Sequence, residues 1–168
     1  VGISSDFTDL DSKLGGFHPS DLIIIAGRPS MGKTSLATNI AFNIARNAHI
    51  SKDMDSSVLF FSLEMSSEQL ARRILSEQAR ISSNDIRRGN LSENDLDNLV
   101  SVSKDILEIP LFIDDTPAVN IGTLSSRARR LKRKNGLGAI VIDYLQLLKP
   151  SKKSRNESRV LEISEITQ

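Results

Sequence analysis

The chain has no cysteine, a single tyrosine and an almost balanced charge. Lacking thiols, it has neither disulfides nor thiolate metal ligands, which fits a reducing compartment, and a cytoplasmic location is expected. Its 22 basic residues against 21 acidic ones leave a net charge of +1, so any nucleic-acid surface must be a local concentration of charge. One tyrosine offers little for base stacking. No apolar run approaches the roughly 18 residues of a membrane span. The opening Val1–Asp11 mixes polar and charged residues, so no signal peptide is expected there. What remains, 168 residues with 39% hydrophobic and 26% charged content, is one globular domain long enough to bury a core.

The most informative stretch, LIIIAGRPSMGKTSLATNIAFNIA, begins at Leu22 and ends at Ala45. A short apolar run, Leu22–Ala26, predicts a strand. It leads through a glycine-flanked turn into a helical pattern over Lys33–Ala48, with Leu36, Ala37, Ile40, Ala41, Ile44 and Ala45 on one face. Between strand and helix, Gly27-Arg28-Pro29-Ser30-Met31-Gly32-Lys33-Thr34 fits G-x-x-x-x-G-K-[ST] at each defined position. Gly27 and Gly32 let the backbone curl so that successive N–H groups point inward as an anion nest. The helix that follows adds its own orphan N–H groups and partial positive charge. In this motif the Lys33 ammonium reaches the β- and γ-phosphates, and the Thr34 hydroxyl is placed to ligate Mg²⁺. The chain is therefore expected to bind a nucleoside triphosphate.

The remaining pattern alternates helices and strands, predicting a parallel α/β sheet flanked by helices. Phe7, Leu10 and Leu14 mark a short amphipathic helix closed by glycines. Val58–Leu63 predicts a buried strand, followed by a helix over Glu68–Arg80 that Ser66 or Ser67 can cap. Ser82–Asn90 is a connector with at most one helical turn. A helix from Ser92 then ends before Pro110, with Leu96, Leu99, Val100, Ile106 and Leu107 expected to face inward. Leu111–Ile113 predicts a strand stopped by Asp114-Asp115-Thr116-Pro117, where turn chemistry is favoured over a metal-binding acid pair. Ile121–Lys134 is a helix with a strongly basic second half, and Gly138–Asp143 is the last clear strand. His18 and His49 sit in polar settings and read as solvated side chains.

Two acids end predicted strands, the edge of a parallel sheet that faces its ligand. Asp143 follows four apolar residues, the pattern of an acid that holds Mg²⁺. Glu64 ends the strand after the Lys33–Ala48 helix, where a carboxylate can orient and deprotonate the water that attacks a γ-phosphate. Gln146 carries an amide that could sense the γ-phosphate. Lys149, Lys152, Lys153 and Arg155 form a basic, proline-broken loop beyond it, a candidate DNA contact that would be salt-dependent and blind to sequence.

GRPSMGKTS (Gly27–Ser35), FSLEMS (Phe61–Ser66), RARRLKRKNGLG (Arg127–Gly138) and VIDYLQLL (Val141–Leu148) together resemble the motor domain of bacterial DnaB-type replicative DNA helicases. The resemblance covers essentially the whole chain. It implies a RecA-like fold, a ring-shaped homo-hexamer with ATP sites between subunits, and translocation on single-stranded DNA with a primase and a helicase loader as partners. It carries nucleotide binding to Gly27, Arg28, Pro29, Ser30, Met31, Gly32, Lys33, Thr34 and Ser35. It makes Thr34 and Asp143 the Mg²⁺ residues, Glu64 the catalytic base, and Gln146 the link between the γ-phosphate and the DNA loops. It also predicts that residues 1–168 are part of a longer protein, without the family's N-terminal domain, linker helix and final motor segment. The arginine finger would lie in that final segment. A gap in the middle of the sheet and weak or no ATP hydrolysis in isolation are then expected. Three other functions share some of these residues: a RecA-like recombination or repair ATPase, a P-loop kinase for a small molecule, and a non-catalytic module that assembles on nucleotide.

Overall fold

The computed structural model describes residues 2–147. Three parallel strands, β1 (Val58–Ser62), β2 (Leu111–Asp114) and β3 (Ala139–Asp143), form a sheet in the order β2-β1-β3. The central strand reads VLFFS and is buried along its whole length, as a strand covered on both faces must be. Its side chains alternate between two cores. Val58 and Phe60 pack with Ile40, Ala41, Ile44 and Ala45 of α2 (Lys33–Ser51) and with Leu70 and Ile74 of α3 (Ser67–Ala79). Leu59 and Phe61 pack on the opposite face with Val119 and with Leu124 and Ala128 of α6 (Ile121–Asn135).

Helix α1 (Thr8–Leu14) ends at Gly15, whose φ of 72° closes it. Helices α3, α4 (Ser83–Arg88) and α5 (Glu93–Glu108) form the long crossover from β1 to β2, and α6 is the crossover from β2 to β3. Their starts follow side-chain chemistry visible in the sequence. Ser66 and Gln69 form a capping box for α3, Ser92 and Asp95 one for α5, and Asn120 caps α6 through the Thr123 amide.

Three expectations need correction. Leu22–Ala26 is not a strand: among the described residues no strand lies beside it to complete a ladder, and Leu22 and Ile24 are 66% and 69% exposed. On α5 only Leu99 is buried, whereas Leu96, Val100 and Leu107 are exposed. Helix α5 packs mainly on α3, so it needs only a narrow apolar stripe. The connector at Ser82–Asn90 holds more than the one helical turn expected of it: the six residues of α4, capped by Ser82 and closed by Gly89.

Candidate functional site

The register of the sheet decides where the acids stand. Ser62 pairs with Asp143, and Phe61 pairs with Asp114, so all three strands finish at one edge. Helix α2 meets that edge at its N-terminus. There the Thr34 hydroxyl donates to Asp143 Oδ2 at 2.8 Å, a contact between residues 109 positions apart. Asp143 is buried, and the Leu63 amide donates to its carbonyl at 2.8 Å. The segment carrying Glu64 is thereby tied to the same strand end. Glu64 itself is exposed at that edge. Gln146 is also exposed, on the short 3₁₀ turn Leu145–Leu147 just beyond β3. The Lys33 ammonium lies 5.7 Å from the centroid of the Tyr144 ring, within cation–π range.

The turn before α2 is built for an anion. Arg28, Pro29, Ser30 and Met31 are exposed, and the Met31 amide donates to the Arg28 carbonyl at 3.3 Å. Gly32 has φ 87°, a conformation side chains rarely adopt, and a Cβ there would meet nothing within 4 Å. Its glycine is therefore demanded by the backbone and not by crowding. Gly27 differs: a Cβ there would make ordinary contact with the Lys33 methylenes at 3.5 Å. Helix α2 has no side-chain cap and no acidic residue in its first turn, whereas α3, α5 and α6 are each capped by a side chain. Its first N–H groups, with Lys33 and Ser35 beside them, thus face the glycine turn as donors. This donor set fits a triphosphate, and the hard oxygens of Thr34 and Asp143 fit Mg²⁺.

Asp114 and Asp115 are engaged as turn residues. Asp114 accepts from the Thr116 amide at 3.0 Å and from Arg127 at 2.6 Å, and Asp115 accepts from the Ser67 amide at 2.7 Å. Burial pushes the Asp114 carboxyl up, but Thr116 and the Arg127 guanidinium outweigh it and hold the group below its ordinary range. Among the described residues no group of three or more His, Cys, Asp or Glu is arranged to hold a metal ion. His18 and His49 are exposed, the latter 3.6 Å from Glu108. Lys149, Lys152, Lys153 and Arg155 lie outside the described residues. No helix among the described residues is long and apolar enough to cross a membrane.

Known proteins share this sequence and fold. Residues 2–168 match the family described as "DnaB-like helicase C terminal domain". The chain is 54% identical over 172 aligned positions to the replicative DNA helicase DnaB of Rickettsia typhi, covering 100% of this chain and 34% of that protein. It is 43% identical to the replicative DNA helicase DnaC of Bacillus subtilis, over 99% of this chain and 35% of that protein. It thus spans about a third of the length of these curated relatives. Among solved structures, a DnaB-like replicative helicase described with its interactions with primase superposes with a TM-score of 0.88 at 33% identity, over 99% of this chain and 39% of that one. A second solved structure, of an ATPase domain, gives a TM-score of 0.87 at 33% identity, over 99% of this chain and 57% of that one. The fold is that of these RecA-like ATPase domains.

Proposed function

We infer a motor function from one premise: the chain belongs to the DnaB-like helicase C-terminal domain family. We propose that it forms part of the ATPase that drives a replicative DNA helicase along single-stranded DNA and unwinds the duplex ahead. The observation that carries the proposal is the Thr34–Asp143 contact, which brings the glycine turn and the end of β3 to one point.

The residues divide the work by chemistry. Backbone N–H groups of Gly32, Lys33, Thr34 and Ser35 at the turn and the α2 N-terminus bind the phosphates of ATP, and the Lys33 ammonium neutralises the β- and γ-oxygens. Mg²⁺, held by Thr34 and by Asp143 through its water shell, would supply charge neutralisation across the β- and γ-phosphates. Glu64 takes a proton from water as the water oxygen bonds to the γ-phosphorus; the bond to the bridging oxygen breaks and ADP leaves with that electron pair. Gln146, on the turn Leu145–Leu147 beyond Asp143, is assigned the task of reporting the γ-phosphate to the segment that follows. That segment carries Lys149, Lys152, Lys153 and Arg155, assigned to DNA phosphates. A homo-hexamer with ATP between subunits, primase and loader partners and a cytoplasmic setting complete the proposal.

The test is Glu64→Gln in a full-length protein carrying this chain. General-base catalysis contributes about 10²–10⁴ in rate, so ATP turnover and strand displacement should fall by at least about 100-fold while ATP binding persists. Unchanged turnover would remove Glu64 as base and favour a module that only assembles on nucleotide. Robust ATPase and strand exchange without unwinding in the parent protein would favour a recombination or repair ATPase.

A further inference from the structure

The segment between β1 and α3 carries Glu64 and is fixed at several points. The buried Ser62 hydroxyl donates to the Met65 carbonyl at 2.7 Å, closing a turn around Glu64. The Leu63 amide is held by Asp143. At the far end the Ser66 hydroxyl accepts the Gln69 amide at 3.2 Å, and the Gln69 side chain accepts the Ser66 amide at 3.0 Å. The Ser67 amide, first in the helix, is out of reach of that reciprocal cap. It is satisfied from elsewhere in the fold, by Asp115 Oδ2 at 2.7 Å, from the turn after β2. Asp115 is itself steadied on both sides, because Arg127 of α6 binds Asp114 at 2.6 Å and the Thr116 hydroxyl at 2.8 Å. The Ser67 amide holds the Asp115 carboxyl below its ordinary range, so the anion is present at neutral pH at a helix N-terminus that favours it.

We propose that Asp115 is a positioning residue for Glu64, tying the start of α3 to the end of β2 so that the loop between β1 and α3 holds its carboxylate in a fixed place. This rests on the role proposed for Glu64. In this role Asp115 acts on Glu64 only through three residues of backbone, Met65 to Ser67. A displacement of about 1 Å in a catalytic group costs on the order of 10²-fold in rate. A loop freed at one of its anchors should lose part of that, about tenfold.

Three variants in the full-length protein separate this role from simple stability. Asp115→Ala removes the acceptor. Ser67→Pro removes the donor at the one helical position where proline is favoured, and Ser66, at φ −67° and ψ 156°, already has the conformation a residue before proline needs. Asp115→Asn keeps an oxygen for the Ser67 amide. Steady-state ATPase should show kcat about tenfold lower in the first two, KM within twofold, no further loss in the double variant, and Asn within about threefold of the parent. Asp95→Ala, which disrupts the capping box of α5 beside the C-terminal end of α3 and away from its start at Ser67, is the control: it should lower thermal stability and leave kcat unchanged. Turnover within twofold of the parent in both D115A and S67P overturns the proposal, as does a kcat loss in D115A that D95A reproduces. Glu64→Gln, assayed alongside, keeps the two claims apart. If E64Q turns over normally, the Glu64 assignment fails; if E64Q is silent while D115A and S67P are normal, only the positioning role fails.

Discussion

Replacing Thr34 with valine deletes one hydroxyl and almost nothing else, since the two side chains share shape and branching. The deleted group donates at 2.8 Å to Asp143, whose residue is only 6% exposed. A hydrogen bond to a charged group contributes about 1.5–3 kcal/mol, and the carboxylate left behind has little water to turn to. For a chain of 168 residues, each kcal/mol moves the melting temperature by about 2–4 °C, so Thr34→Val should melt about 3–12 °C below the parent. Thr34→Ser keeps the donor and should fall within about 1 kcal/mol of the parent. A double-mutant cycle with Asp143→Ala, read by urea denaturation, should return a coupling energy within about 0.5–3 kcal/mol. The same valine should abolish any rise in melting temperature caused by Mg-ATP, while serine retains it. Thr34→Val as stable as the parent, or Thr34→Ser as unstable as Thr34→Val, would refute the idea that this hydroxyl joins helix α2 to the sheet.

Other outcomes follow from single contacts. Gly32→Ala should cost about 1–2 kcal/mol in urea denaturation, the strain of a left-handed residue alone, because the new methyl meets nothing within 4 Å; a cost several-fold larger would mean hidden crowding. Asp114→Asn should destabilise by on the order of 1 kcal/mol, the partial exposure of Arg127 screening the pair. Because the folded-state carboxyl titrates below its ordinary value of 3.8, that difference should be full above pH 3.8 and shrink as pH falls further through the folded-state value. Denaturation curves at stepped pH check this, and a difference that grows with acidification would invert the assignment. Leu70→Ala, at a fully buried position, should cost about 2–5 kcal/mol, whereas Leu107→Ser, at an 82% exposed one, should stay within about 0.5 kcal/mol.

How much of this was legible beforehand depended on whether a residue acts locally. The P-loop spacing, the apolar β1 and β3 with acids after or at their ends, and the serine caps of α3 and α5 are all written in neighbouring residues. Leu22–Ala26 has the composition of a buried strand, but a strand requires a neighbour, and composition does not supply one. The apolar positions of α5 have helical spacing, yet spacing cannot tell how wide a stripe the packing partner will cover. Asp115 was visible only as a turn former; its bond to Ser67 spans 48 residues and depends on the register of β1 against β2. That register is a tertiary fact with no local signature beyond the turn chemistry itself.

The bare start of α2 has one more consequence. The helix that supplies the largest share of one core is the one whose opening turn no side chain of its own completes. An oxyanion seated there would act as the missing terminal residue, so affinity and conformational stability become two readings of a single quantity. Any substitution that loosens α2 deep in the core, at Ile44 for example, should then weaken nucleotide binding from a distance, in proportion to how much it frays that first turn.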